Sequence, residues 1–209
     1  MKKFIYLLLI FIFASCSSER YPPIPKGATV VILGDSLSYG TGANDGANTG
    51  EDYPTLLAKT TGWNIINAGI PGDTTAGGLE RLPELLQEHQ PKLLIVELGG
   101  NDLLRHLPQN QTIANLKAIL SLSKAQGVKT ILIAIPEVSA LRAAIGNLSD
   151  HPLYEAIAKE TATPLIEDVF SDVLSDNALK SDQIHPNAKG YVMVGNKMVK
   201  ALKQLGFAG

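Results

Sequence analysis

Apolar runs and helix-period stretches alternate along most of this chain. Thr29 to Leu33 reads as a continuous apolar run, the mark of a strand buried on both faces. Asn64 to Asn67, Leu93 to Leu98, Lys129 to Ile135 and Pro164 to Ile166 read as further strands. Between them the pattern predicts helices from about Pro54 to Thr61, Thr75 to His89, Thr112 to Gln126 and Asp150 to Thr161. A closing helix runs from Asn187 to Leu205, with Gly206 past its end. Pro83 is expected to kink or break the second of these helices. Strands separated by helices imply a parallel sheet covered on both faces. The predicted architecture is therefore α/β, a three-layer α/β/α sandwich around a five-stranded parallel sheet, built by residues 28–209.

In such sheets ligands bind beyond the carboxyl ends of the strands. That rule singles out Gly34 to Ser36, Ala68 to Asp73 and Gly99 to Asp102, each combining glycine with a polar side chain.

The first residues do not belong to this pattern. Lys2-Lys3, an apolar run from Phe4 to Ala14, and Ser15-Cys16-Ser17-Ser18 make a secretory signal over residues 1–16. The run is shorter than the roughly 20 residues that span a bilayer. Ala14-Ser15-Cys16 resembles the lipobox of bacterial lipoproteins, with Phe13 where that motif prefers Leu. The resemblance implies lipid attachment at Cys16 and a place in the bacterial cell envelope, or a soluble periplasmic or secreted protein if cleavage falls elsewhere. Cys16 is the only cysteine, so the chain forms no internal disulfide. Residues 17–27, with Pro22, Pro23 and Pro25, read as a short extended tether.

Composition narrows the function. Of 209 residues, 45% are apolar and 18% charged, enough for a substantial core, and the net charge is −2. No Lys/Arg cluster occurs beyond Lys2-Lys3, so a nucleic-acid partner is not expected.

Candidate chemistry lies at the two ends of the domain. Ser36 follows an apolar strand where the backbone turns between Gly34 and Gly40. A serine hydroxyl needs an oriented base to become a nucleophile. Asp182-Gln183-Ile184-His185-Pro186 offers one, because in a turn a carboxylate three residues before an imidazole reaches its Nδ1–H. Each signal alone has an ordinary alternative, a turn serine in one case and a capping or surface pair in the other.

Four blocks in order carry a family resemblance: Gly34-Asp35-Ser36-Leu37, Asn67-Ala68-Gly69-Ile70-Pro71-Gly72-Asp73-Thr74, Glu97-Leu98-Gly99-Gly100-Asn101-Asp102 and Asp182-Gln183-Ile184-His185-Pro186. From Thr29 to Leu205 the chain resembles the SGNH hydrolases, the GDSL esterases and lipases, whose fold is flavodoxin-like. Within them it is most similar to the branch of bacterial thioesterase I, lysophospholipase and arylesterase. The resemblance implies Ser36 as nucleophile, His185 as base and then acid, and Asp182 as its orienting carboxylate. It also implies an oxyanion hole formed by the Ser36 N–H, the Gly72 N–H and the Asn101 side chain. Turn geometry for Gly72 and helix capping for Asn101 are compatible with those roles. Short- to medium-chain acyl esters, aryl esters, thioesters or lysophospholipids are the implied substrates, without a cofactor or metal. Gly40–Gly50 and Pro136–Pro152 depart from that branch, so substrate choice is the open part.

Other readings are less well supplied. Ser38 stands where the Gly-x-Ser-x-Gly elbow of an α/β-hydrolase needs glycine, and Gly34 to Gly42 lacks the spacing of a nucleotide loop. Asp35, Asp102, Asp182 and His185 lack the paired histidines of a metal site. Asp35 and Asp102 are expected to hold loops through backbone N–H groups. His89, His106 and His151 are expected on solvent-facing helix ends, and Trp63 in the core or at its rim. The alternatives to a short-chain esterase are a carbohydrate acetylesterase and a lipid-anchored binding protein without turnover.

Overall fold

The computed structural model describes residues 21–43, 51–137 and 146–209. The signal over residues 1–16, Cys16, and parts of the two divergent segments lie outside the described residues. Five parallel strands form one sheet in the order β2-β1-β3-β4-β5. They are β1 (Thr29–Gly34), β2 (Asn64–Gly69), β3 (Leu93–Glu97), β4 (Lys129–Ile133) and β5 (Leu165–Ile166). Helices α2 (Tyr53–Thr61), α7 (Val169–Ser175) and α8 (Ala188–Leu205) pack together as one layer, and α3 (Thr75–His89), α5 (Gln109–Ala125) and α6 (Leu153–Thr161) as another. Two short helices, α1 (Ser36–Tyr39) and α4 (Gly100–Leu104), follow β1 and β3 directly.

The central strands explain the layering. Val30 to Leu33 and Leu93 to Val96 are fully buried on successive residues, so both faces of the sheet exclude water and both need a helical layer. Helix ends obey local chemistry: Asp52 caps α2 through the Thr55 N–H with Pro54 in the first turn, and Asn187 caps α8 through the Gly190 N–H. The chain leaves β1 toward β2 on one side and returns to β3 on the other. The seam between β1 and β3 is thus the switch point of the sheet, open at the carboxyl ends of the strands.

Three expectations change. Helix α3 runs through Pro83 without a break, packed on α5. Helix α7, absent from the periodicity reading, occupies the stretch after β5 and buries Phe170 and Val173. The stretch from Tyr21 to Gly27, read as the end of a tether, packs on the domain. Tyr21 stacks on Phe207 at 4.6 Å, and the Tyr21 and Ile24 N–H groups bond the Leu205 and Phe207 carbonyls.

Candidate active site

The turn after β1 presents Ser36. Asp35 caps the single turn of α1, its Oδ1 accepting the Leu37 N–H at 3.0 Å, and Gly40 in the left-handed region ends it. Gly34 has no room for a side chain: a Cβ there would lie 2.1 Å from Ser38 Oγ and 2.8 Å from Glu97 Oε2. The glycine therefore lets the turn close onto β3. The Ser36 N–H has no hydrogen-bond partner among the described residues.

His185 reaches Ser36 from the other end of the chain. Its Nε2 lies 3.0 Å from Ser36 Oγ, and its Nδ1 lies 2.7 Å from Asp182 Oδ2. The Asp182 side chain also builds the turn that carries it, with Oδ1 accepting the Ile184 and His185 N–H groups at 2.8 Å each. Burial pushes the Asp182 carboxyl up, but these donors outweigh it and hold the group below the ordinary carboxylate range. Asp182 is therefore an anion facing Nδ1, and the imidazole presents its other nitrogen to Ser36. The three residues singled out from sequence are brought together.

Asn101 lines a cavity together with Ser36 and His185, and Gly72 lies in the loop that Asn101 and Arg105 hold. Gly72 has φ of 80°, a region that favours glycine, and its N–H has no partner among the described residues. Its carbonyl accepts from Arg105 Nη2 at 2.8 Å. Asn101, in the first turn of α4, donates through Nδ2 to Asp35 Oδ2 and to the Asp73 carbonyl, each at 2.9 Å. Arg81 on α3 adds a third tie, donating to Asp73 Oδ2 at 2.9 Å and to the Gly34 carbonyl at 3.0 Å. The Gly72–Asp73 loop is thus held to β1, α3 and α4 at once. A serine hydroxyl on an oriented imidazole beside two free N–H groups and an amide is equipped for acyl transfer through a tetrahedral oxyanion.

A buried carboxyl lies beneath the turn, and its role escaped the sequence reading. Glu97 ends β3 and is fully buried. Its Oε2 accepts the Ser38 N–H at 3.0 Å and the Ser38 hydroxyl at 2.6 Å, and lies 3.3 Å from the Asp35 N. Tyr53 OH lies 2.6 Å from the same hydroxyl. Oε1 is buried with no partner. Burial, and then the adjacent Asp35, push Glu97 well above the ordinary carboxylate range. Burial also raises Asp35 to about 6, against the pull of the Leu37 N–H and His185. The available signal was an acidic residue closing a strand that otherwise reads as wholly interior.

A cavity of about 140 Å³ opens beside Ser36 and His185. Leu104, Ile135, Leu148, Leu174 and Ile184 contribute its apolar wall, with Glu137 also lining it. Leu148, like Pro136 and Glu137, lies in the Pro136–Pro152 stretch that the family resemblance places at the border of the acyl or alcohol pocket, whereas Leu174 belongs to a helix the sequence did not disclose.

The remaining candidates sort as follows. Asp35 and Asp102 do hold loops by backbone N–H groups, Asp102 Oδ2 accepting from Thr75 at 2.9 Å. Trp63 is in the core with its Nε1–H on the Ile24 carbonyl. His106 is exposed, as expected, in the link after α4, but His151 is half-buried and its Nδ1 accepts the Leu153 N–H, capping α6.

Residues 32–193 match the model of the GDSL-like lipase/acylhydrolase family. The chain is 37% identical over 183 residues to thioesterase 1/protease 1/lysophospholipase L1 of Escherichia coli K12, covering 85% of this chain and 84% of that protein. It is 36% identical over 129 residues to an arylesterase of Vibrio mimicus, covering 61% of this chain and 62% of that protein. The crystal structure of TesA superposes with a TM-score of 0.73 at 31% identity, covering 85% of this chain and 99% of that one.

Proposed function

The chain belongs to the GDSL-like lipase/acylhydrolase family and is a serine esterase, and from that premise we propose that Ser36 is its nucleophile. The observation that carries this reading is the 3.0 Å approach of His185 Nε2 to Ser36 Oγ. His185 takes the hydroxyl proton as Oγ attacks the substrate carbonyl carbon. The developing oxyanion is met by the Ser36 and Gly72 N–H groups and the Asn101 amide. The intermediate collapses, His185 returns the proton to the leaving alcohol or thiol, and an acyl-enzyme remains on Ser36. Water then attacks, giving its proton to His185, and the acid departs with Ser36 restored. Asp182 stays ionised throughout and stabilises the imidazolium.

The cavity favours short- to medium-chain acyl groups or an aryl ring. An apolar cavity of about 150 Å³ accommodates a benzene molecule, so roughly six carbons fit beside Ser36. Hydrolysis of p-nitrophenyl acetate, butyrate, hexanoate, decanoate and palmitate by the purified protein tests this. Maximal kcat/KM at butyrate or hexanoate is expected. A maximum at palmitate contradicts the size argument, and no turnover of any of them contradicts the proposed catalytic roles.

Export and lipid attachment at Cys16 complete the reading. They rest on Lys2-Lys3, the apolar run and the Ala14-Ser15-Cys16 end of the signal. The intact mass of protein extracted from membranes of the expressing host reads the attachment directly.

A further inference from the structure

The sequence shows no cluster of basic residues in the mature domain, yet the fold builds one. Strands run parallel, so all of them start at one pole of the sheet and end at the catalytic edge. At the starting pole stand Lys59, Lys124 and Lys203, each in the last turn of a different helix. Lys26 and Lys92 join them from loops: Lys26 lies against the Gly62 cap of α2, and the Lys92 N–H bonds the Thr29 carbonyl where β1 begins. All five are exposed, and none is ion-paired among the described residues. A cation in a helix's last turn complements the helix dipole, which accounts for three of them but not for Lys26 and Lys92. Facing them are Glu88, in the last turn of α3, and Glu160, which is paired with Lys117.

The opposite pole has another character. Around the catalytic edge Glu167, Asp168 and Asp182 are exposed carboxylates. Of the cations there, Arg105 and Lys180 each hold a backbone carbonyl, of Gly72 and Leu174, and Lys189 opens α8. The molecule is thus electrically polar along its strands.

The N-terminal segment leaves the domain at the lysine pole. Tyr21 is pinned there by its stack on Phe207 and its bond to the Leu205 carbonyl, and Lys129 Nζ holds the Pro22 carbonyl. Only residues 17–20 separate Cys16 from Tyr21. Five Cα–Cα steps reach at most about 18 Å. The six residues of β1 alone place Ser36 roughly 20 Å beyond that pole. A lipid on Cys16 therefore draws the lysine pole to the bilayer and leaves no length for the chain to turn the catalytic edge toward it.

We propose that the pole carrying Lys26, Lys59, Lys92, Lys124 and Lys203 is a docking face for an anionic lipid surface, with the catalytic edge turned to the water. The anchored enzyme then draws on water-borne esters rather than on lipids of the membrane that carries it. The length argument rests on the lipid-anchor reading of Cys16; the charge argument does not. Anionic headgroups attract each nearby lysine, and the carboxylates of the far pole disfavour the inverted pose.

The test uses the mature chain from Ser17 onward, which lacks both the apolar signal and the lipid-bearing Cys16, so that binding owes nothing to either. It is mixed with phosphatidylcholine vesicles with and without phosphatidylglycerol. Binding only to the phosphatidylglycerol vesicles, released by high salt, is expected. Joint replacement Lys26→Gln, Lys59→Gln, Lys92→Gln, Lys124→Gln and Lys203→Gln should weaken it by about tenfold or more, with turnover of a soluble aryl ester unchanged. Bound enzyme should hydrolyse that ester as fast as free enzyme. Trp63, the single tryptophan, lies at the docking pole, so its emission should be quenched by headgroup-labelled lipid without reference to activity. Equal binding by the five-lysine variant, unquenched Trp63 in the bound state, or loss of soluble-ester turnover on vesicles overturns the proposal. Absence of turnover by free and bound enzyme alike instead refutes the catalytic roles, and an unlipidated mass for the wild-type chain refutes the anchor. In both cases binding and Trp63 quenching still decide the docking face.

Discussion

Asn101 and Asp35 are joined across the seam between β3 and β1, with Nδ2 donating to Oδ2 at 2.9 Å. The same nitrogen gives its second hydrogen to the Asp73 carbonyl, so both amide hydrogens are engaged before substrate arrives. The bond to the carboxylate is charge-assisted and the stronger of the two. Service to an oxyanion therefore draws on the hydrogen held by Asp73, while Asp35 keeps the amide aimed.

Asn101→Ala should lower kcat by about a hundredfold to a thousandfold with little change in KM, the pattern of a donor used mainly in the transition state. Steady-state kinetics on one soluble ester checks it. A change confined to KM places Asn101 in substrate binding instead.

Asp182→Asn tests the orientation of the base. The substitution puts an uncharged amide beside Nδ1, so the favoured tautomer and the stabilised imidazolium are both lost. In a serine protease the equivalent change costs about ten-thousandfold in kcat. Here Asp182 is exposed to solvent, and a smaller loss, on the order of a hundredfold or more, is expected. Activity within tenfold of wild type contradicts the assigned role.

The acid limb of kcat/KM should be steeper than a single ionisation. Asp35 takes up a proton as pH falls through about 6, and His185 must be neutral to act as base. Asp35 faces His185, Glu97, Asp73 and the Asn101 amide, and protonation weakens its hold on Asn101. Asp35→Asn should reduce activity and leave a limb of one ionisation. An unchanged slope removes Asp35 from the profile.

Glu97 makes a stability prediction of definite sign. Its folded pKa lies above the ordinary 4.5, so from that pH upward the folded state holds a proton the unfolded state has released. Stability should therefore fall as pH rises above about 4.5, toward the folded value. Glu97→Gln keeps the shape without the titration and should flatten that decline in denaturant melts between pH 5 and 8. A slope equal to wild type contradicts the upward shift of Glu97.

Sequence disclosed the parts that periodicity and local chemistry encode. The wholly apolar strands, the helix starts near Thr75 and Asn187, and the Asp182–His185 turn all follow from neighbours within a few residues. Pairings across the sheet do not. Glu97 binds Ser38 at a separation of 59 residues, and Arg81 binds Gly34 at 47, so only the strand order reveals them. Helix α7 was hidden because its seven residues bury nearly all round and leave no stripe to read. Tyr21 to Gly27 looked like a tether because its prolines suit extended chain, whereas the stack on Phe207 depends on the other terminus. The lysine pole likewise exists only once helix ends and loops converge.

The central claim is that Ser36 is made nucleophilic by His185, 149 residues away in sequence. Covalent labelling with a fluorophosphonate, read by intact mass and peptide mapping, tests it most directly. The account predicts one adduct, on Ser36, which abolishes ester turnover, is absent from Ser36→Ala, and forms far more slowly in His185→Ala. An adduct on another residue, or labelling of Ser36 at the wild-type rate in His185→Ala, would contradict it.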